Sequence, residues 1–205
     1  MSSTISRATL VRVRIAAATF LAGSLAAFAA LGAPAATESP RTLLDVGDSL
    51  SVGAAPYLKS ELRGYRIERV NAIGLRADDV AEIVQRARTT LPDVLVVSAG
   101  TNDDPRAASA FARSISAVVG TAGRKRCVVW PTIARPPVAG ATSGGLNRAL
   151  GRAASRNRSL VLVDWVGMVK RHPRWLTSDG VHASVAGYRA RAAAIAAAVK
   201  TRCGP

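Results

Sequence analysis

Aromatic residues make up only 4% of the chain, three each of Trp, Tyr and Phe. Proteins that hold single-stranded nucleic acid by stacking its bases need more exposed rings than this, so that class is disfavoured. Two cysteines are too few for a disulfide-dense miniprotein or a four-cysteine zinc site, and two histidines argue against a multi-histidine metal centre. Acidic residues are scarce as well, 13 against 28 Lys plus Arg, which leaves a formal net charge of +15. What is present is apolar: 49% of 205 residues, enough to bury a core and to exclude a wholly disordered chain. That length suits one ordinary domain with a short appendage.

The appendage is expected at the N-terminus. Arg7, Arg12 and Arg14 precede an Ala-rich apolar run from Ile15 to Leu31, followed by Ala33-Pro34-Ala35. A basic start, an apolar stretch and a small-x-small site are the layout of a secretory signal peptide, here residues 1–35. The competing reading is a membrane anchor, but 17 residues interrupted by Thr19, Gly23 and Ser24 are at the short end for a bilayer. No arginine pair marks a twin-arginine signal. Removing residues 1–35 takes three arginines and leaves 25 basic against 13 acidic residues, so a charge of +12 survives. A secreted or extracytoplasmic location follows as the expectation. In that oxidising setting Cys127 and Cys203 are expected to pair.

After a linker at 36–40, apolar runs alternate with helical patterns over 41–205. Strands are expected at 42–46, 66–70, 94–97, 127–130 and 160–163, and helices at 52–62, 78–88, 111–119, 146–154 and 185–199. Gly187 is the weak position in the last helix. Strands separated by helices of this length imply an α/β fold with a parallel sheet covered on both faces. Ligands in such sheets sit beyond the carboxyl ends of the strands. The polar segments Gly47-Asp48-Ser49, Asn71-Ala72-Ile73-Gly74 and Gly100-Thr101-Asn102-Asp103 all follow strands. A long loop after the fifth strand ends in Ser178-Asp179-Gly180-Val181-His182.

A serine between a strand and a helix needs a base to become a nucleophile. His182 follows Asp179 by three residues, close enough for the carboxylate to hold one ring nitrogen while the other faces a serine. His172, in Lys170-Arg171-His172-Pro173-Arg174, has no nearby acid and reads as a solvated loop residue. These segments resemble the SGNH, or GDSL-type, serine hydrolases and esterases. Gly47-Asp48-Ser49-Leu50 with Gly53 is similar to that family's first block, Gly100-Thr101-Asn102-Asp103 to its third and Asp179-Gly180-Val181-His182 to its last. The resemblance spans about residues 41–200. It implies a flavodoxin-like three-layer α/β/α sandwich with a five-stranded parallel sheet ordered 2-1-3-4-5.

It further implies Ser49 as nucleophile, His182 as general base and acid, and Asp179 as its orienting carboxylate. The oxyanion hole would take the backbone N–H groups of Ser49 and Gly74 and the side chain of Asn102. One departure is that the family's second block usually carries a longer glycine-bearing stretch than Asn71-Ala72-Ile73-Gly74. In the order 2-1-3, the loops bearing Gly74 and Asn102 flank the loop of Ser49. The fifth strand lies roughly 14 Å from the first, and an extended segment 166–178 could cover more than about 40 Å. Asp48 is expected to support its turn, and Asp103 and Trp175 to hold loops around the site. There is no G-x-S-x-G motif, which disfavours the separate α/β-hydrolase fold, and nothing suggests a metal or redox cofactor.

The expected activity is therefore hydrolysis of carboxylic esters, with a small acyl, lipid or O-acetylated carbohydrate substrate. The same triad would serve an acyltransferase to a cell-envelope carbohydrate. From another class, a catalytically inactive envelope-binding protein would use the basic runs 124–126, 152–158 and 170–174 as its surface. Electrostatic association with anionic envelope polymers is compatible with either. Nucleic acid is not an expected partner, given export and scarce aromatics, and no stable membrane span is expected after processing.

Overall fold

The computed structural model of the chain describes residues 40–204. The expected signal peptide at 1–35, and the linker but for Pro40, lie outside the described residues.

Five strands form one parallel sheet: β1 (Arg41–Gly47), β2 (Tyr65–Asn71), β3 (Val94–Ser98), β4 (Cys127–Pro131) and β5 (Leu160–Val163), in the order β2-β1-β3-β4-β5. Their connections carry α1 (Ser49–Glu61), α2 (Ala77–Arg86), α3 (Ala108–Ala122) and α4 (Gly144–Arg156). After β5 come α5 (Trp165–Arg171), a 3-10 turn (Pro173–Trp175) and α6 (Val185–Arg202). The central strands are apolar runs rather than alternations because both faces are covered. Leu44, Val46, Leu95, Val97, Val128 and Trp130 face a core closed by α2, α3 and α4. Leu43, Val94, Val96, Val129 and Val161 face a second core closed by α6 and the end of α1. Helices on both faces of the sheet make the three-layer α/β/α sandwich the sequence suggests. Only the edge strand β2 alternates, with Arg66 and Glu68 in solvent and Tyr65 and Ile67 half-buried.

One expected loop is not a loop. Residues 166–178 contain most of α5 and the whole 3-10 turn. Asp164 caps α5 by accepting from the Gly167 amide (2.9 Å), and Trp165 and Val169 bury one face of it. Two turns with a glycine inside are too short a pattern to stand out in sequence, so burial of Trp165 rather than periodicity makes this helix.

Two glycines let α6 approach its neighbours. A Cβ on Gly187 would stand 2.1 Å from the Trp175 carbonyl oxygen, and one on Gly53 would stand 2.2 Å from the Tyr188 ring. Gly187 thus trades helix propensity for contact with the loop that leads to His182. Far from that loop, Cys127 at the start of β4 and Cys203 at the end of α6 form the expected disulfide, with Cα atoms 5.5 Å apart. Among the described residues no helix is long and apolar enough to cross a membrane.

Candidate active site

β1 ends at Gly47, and Asp48 turns the chain into α1. Asp48 is the N-cap, its Oδ1 accepting from the Leu50 amide at 3.0 Å, so Ser49 begins the helix at the carboxyl rim of the sheet. The sequence pattern started this helix three residues later, at 52. The earlier start stations Ser49 where unpaired helix N–H groups gather.

His182 arrives on a tightly closed loop. Leu176 bridges Ala183, and the Thr177 amide donates to the His182 carbonyl (2.8 Å). Asp179 organises this turn with one oxygen: Oδ1 accepts from the Thr177 hydroxyl (2.7 Å) and from the amides of Val181 (2.8 Å) and His182 (3.0 Å). Its other oxygen, Oδ2, lies 2.6 Å from His182 Nδ1. The His182 ring, its amide and the neighbouring donors hold the Asp179 carboxyl well below the usual carboxylate range, the ring contributing most. A carboxylate can only accept, so Nδ1 carries the proton and the Nε2 lone pair faces outward. The Ser49 hydroxyl is 3.0 Å from that Nε2. Ser49, His182 and Asp179 are thus joined in one line. His172 is not part of it: exposed at the end of α5, it stacks on Trp175 with ring centroids 4.1 Å apart.

The two loops flanking Ser49 are joined to each other. Asn102 Nδ2 donates to the Leu75 carbonyl at 2.9 Å, next to Gly74, whose φ of +84° suits glycine. No hydrogen bond connects Asn102 or Gly74 to Ser49. Asp103 has a distinct task, accepting from the Ala77 amide at 3.0 Å at the start of α2. Its burial pushes its carboxyl up, against that bond. Arg135 reaches from the loop after β4 to the carbonyls of Thr101 and Asp103, on either side of Asn102.

Beneath the serine lies a buried charge system that sequence reasoning missed. Asp45 is fully buried in β1, accepting from Ser51 Oγ (2.6 Å) and Asn71 Nδ2 (3.1 Å), with Arg69 Nε at 3.5 Å. Asp48 is equally buried, and Ser98 Oγ donates to its Oδ1 at 3.0 Å. Burial pushes both carboxyls up, opposed for Asp48 chiefly by Arg191 and for Asp45 chiefly by Ser51. Arg191 of α6 is 2% exposed, donates to Ser98 Oγ at 3.0 Å and lies over the Trp165 ring at 5.2 Å. Burial draws its guanidinium down to about 10, against the pull of Asp48. Trp165 stacks in parallel on Trp175, whose carbonyl accepts from the Ser184 amide just after His182. One guanidinium therefore underpins both the serine turn and the histidine loop. An acid inside an apolar strand and an arginine inside an Ala-rich helix were the available signals, but nothing local paired them.

Beside the histidine loop opens a cleft of about 630 Å³. Ala134, Val166, Val169 and Leu176 make it largely apolar, and Lys170 and Gly180 also line it.

A parallel sheet with a serine, a histidine and a carboxylate aligned at its carboxyl rim has the layout of a serine hydrolase. The profile of the GDSL-like lipase/acylhydrolase family matches residues 45–190, and the chain belongs to that family. It is accordingly a serine hydrolase acting on ester bonds. Among curated proteins, none matches the sequence.

Solved structures share the fold at low identity. The C-terminal catalytic domain of Streptococcus pneumoniae peptidoglycan O-acetyltransferase A is 19% identical, with a TM-score of 0.63 over 80% of this chain and 93% of that one. TesA is 20% identical, with a TM-score of 0.66 over 80% of this chain and all of its own. A Clostridium thermocellum family 3 carbohydrate esterase is 17% identical, with a TM-score of 0.54 over 77% and 92%.

Proposed function

We propose that the protein is an exported esterase in which Ser49 attacks the carbonyl carbon of an acyl ester. The observation that carries this reading is the line from Ser49 Oγ to His182 Nε2 (3.0 Å) and from His182 Nδ1 to Asp179 Oδ2 (2.6 Å). As the Oγ–carbon bond forms, the hydroxyl proton passes to Nε2, and Asp179 stabilises the resulting imidazolium. The tetrahedral oxyanion is held by the amides of Ser49 and Gly74 and by an N–H of Asn102. His182 then returns the proton to the leaving alcohol, which leaves an acyl-serine. Water attacks this ester with His182 again taking a proton, and Ser49 Oγ leaves with it. The apolar cleft beside Gly180 suits a hydrocarbon part of the substrate.

Export rests on the signal-like layout of residues 1–35, and the Cys127–Cys203 disulfide agrees with an oxidising compartment. The likeness to a peptidoglycan O-acetyltransferase domain favours a second reading, in which a carbohydrate hydroxyl replaces water at the acyl-serine. Family membership weighs against a purely binding protein with a dead site. The deciding experiment is labelling by a fluorophosphonate probe. One adduct on Ser49, absent from Ser49→Ala, is expected; an unlabelled protein with intact fold would overturn the reading. Product analysis with and without a sugar acceptor separates hydrolysis from transfer.

A further inference from the structure

Two of the three basic runs meet in space, and they meet at the pole of the sheet opposite Ser49. Arg124, Lys125 and Arg126 occupy the turn between α3 and β4, and Arg156 and Arg158 lie where α4 leads into β5. Arg41 at the start of β1 and Arg202 at the end of α6 close the ring around the disulfide. Six residue steps along β1, at about 3.3 Å each, separate Arg41 from the catalytic rim by about 20 Å.

These side chains line two adjoining clefts of about 490 and 500 Å³, which share Arg124, Arg158 and Ser159 as a common wall. Asp93 is the one acid among their lining residues. None of the seven cations is within 4.0 Å of a carboxylate among the described residues, whereas Arg69, Arg76, Arg86 and Arg106 elsewhere all are. Two of the seven are partly occupied: Arg126 donates to the carbonyls of Leu91 and Ala122, and Arg41 to the Cys203 carbonyl and the Tyr65 hydroxyl. Arg124, Lys125 and Arg158 are exposed, and the structure gives them no partner among the described residues.

We propose that this pole is a binding trough for a linear phosphate-bearing polymer, which holds the enzyme on such material while leaving the catalytic rim free. Two concave clefts in series fit a chain better than a single small anion. They also fit a chain better than a flat bilayer, since the exposed large apolar residues, Val52, Val70, Ile73, Val138 and Val185, all lie away from these clefts. Arginine outnumbers lysine six to one, and its planar fork meets phosphate oxygens two at a time. The trough shares no residue with the proposed triad, so it stands or falls separately from the esterase reading.

The test is binding of the full chain to long-chain inorganic polyphosphate, titrated across salt concentration. The substitution Arg124→Ser/Lys125→Ser/Arg158→Ser, made in exposed positions, should weaken binding at least about tenfold at 0.1 M salt. It should lower the log–log salt slope by about two, at roughly 0.7 per lost ion contact on a flexible strand. Lys170→Ser/Arg171→Ser, in the third basic run, should leave both values unchanged, and polygalacturonate should bind more weakly than polyphosphate. Equal binding by the triple variant with an unchanged melting temperature would overturn the trough, as would equal loss in the control. Polygalacturonate binding as tightly would overturn the choice of phosphate. If the triple substitution abolishes sedimentation with phosphatidylglycerol vesicles and spares polyphosphate binding, the partner is a bilayer and the proposal fails. Binding is read without turnover, so a negative result leaves the Ser49 labelling experiment untouched.

Discussion

At the carboxyl rim Asp45 and Asp48 are fully buried and Asp179 is locked into its turn by four hydrogen bonds. At the opposite pole seven cations stand around a disulfide with one acid among them. The rim spends its charges on geometry: each carboxylate holds an amide, a hydroxyl or an imidazole in place. At the pole Arg41 and Arg126 donate to backbone carbonyls, while Arg124, Lys125 and Arg158 keep their charges in water, where they cost little. A protein with one overall charge of +15 thus contains two electrostatic designs, and net charge alone describes neither.

The two ends should respond differently to substitution. The largest effect is expected from Ser49→Ala, which should lower ester turnover by at least about 10⁴-fold with an unchanged melting curve; near-normal turnover would remove Ser49 from the chemistry. Arg191→Met should lower stability by about 3–5 kcal/mol because it strands the buried Asp48 carboxylate. Adding Asp48→Asn should restore part of that loss in a double-mutant cycle, and strict additivity would show that the two do not couple.

At the pole, Cys127→Ser with Cys203→Ser should cost about 4 kcal/mol by releasing a long loop in the unfolded chain. Turnover at 25 °C should persist, since the bridge is at the far end of the sheet. A loss of activity without a loss of stability would break the separation of the two ends. Asn102→Ala should reduce turnover about 10²- to 10³-fold through kcat if its N–H meets the oxyanion. An effect confined to KM would assign Asn102 to binding or loop support.

The smallest effect is on pH. Asp179 is held below the ordinary carboxylate range, so it stays ionised where ordinary carboxylates begin to protonate and does not set the acid limb of turnover. Turnover should fall about tenfold per pH unit there, and a flat profile across the histidine range would exclude a histidine base. The stabilisation that follows from the lowered Asp179 pKa is complete above about pH 4, the unfolded value, and is lost as pH falls toward the folded one. Asp179→Asn should flatten that acid dependence of the melting temperature.

Much of the site was legible because it is local. Asp179 and His182 are three residues apart, and a single Asx-type turn with Thr177 and Val181 suffices to aim one at the other. Ser49 was singled out by the resemblance of Gly47-Asp48-Ser49-Leu50 to the family's first block, and the strand, tight turn and helix around it agree with that reading. Strand positions followed from apolar runs, which a sheet covered on both faces requires. The helix at Trp165–Arg171 was not legible, because its two turns are stabilised by burying Trp165 and not by any repeat of its own. The links from Arg191 to Ser98 and Asp48, and from Asn102 to the carbonyl beside Gly74, join residues far apart in the chain.

The alternation of strands and helices and the rim on which polar residues gather follow from short-range rules: hydrophobic periodicity, capping and turn geometry. The choice of Ser49, His182 and Asp179 as candidates came from the motif resemblance. Which distant groups share a space depends on the packing of the sheet and its helices. Sheet order and helix packing carried Arg191 beneath the serine turn and the histidine loop and brought Arg41, Arg124, Arg158 and Arg202 to one pole. The physical reasons differ at the two ends: buried Arg191 takes Ser98 and the nearby Asp48 as partners that the fold supplies, whereas the arginines at the pole gather because the strands of a parallel sheet all begin at the same end.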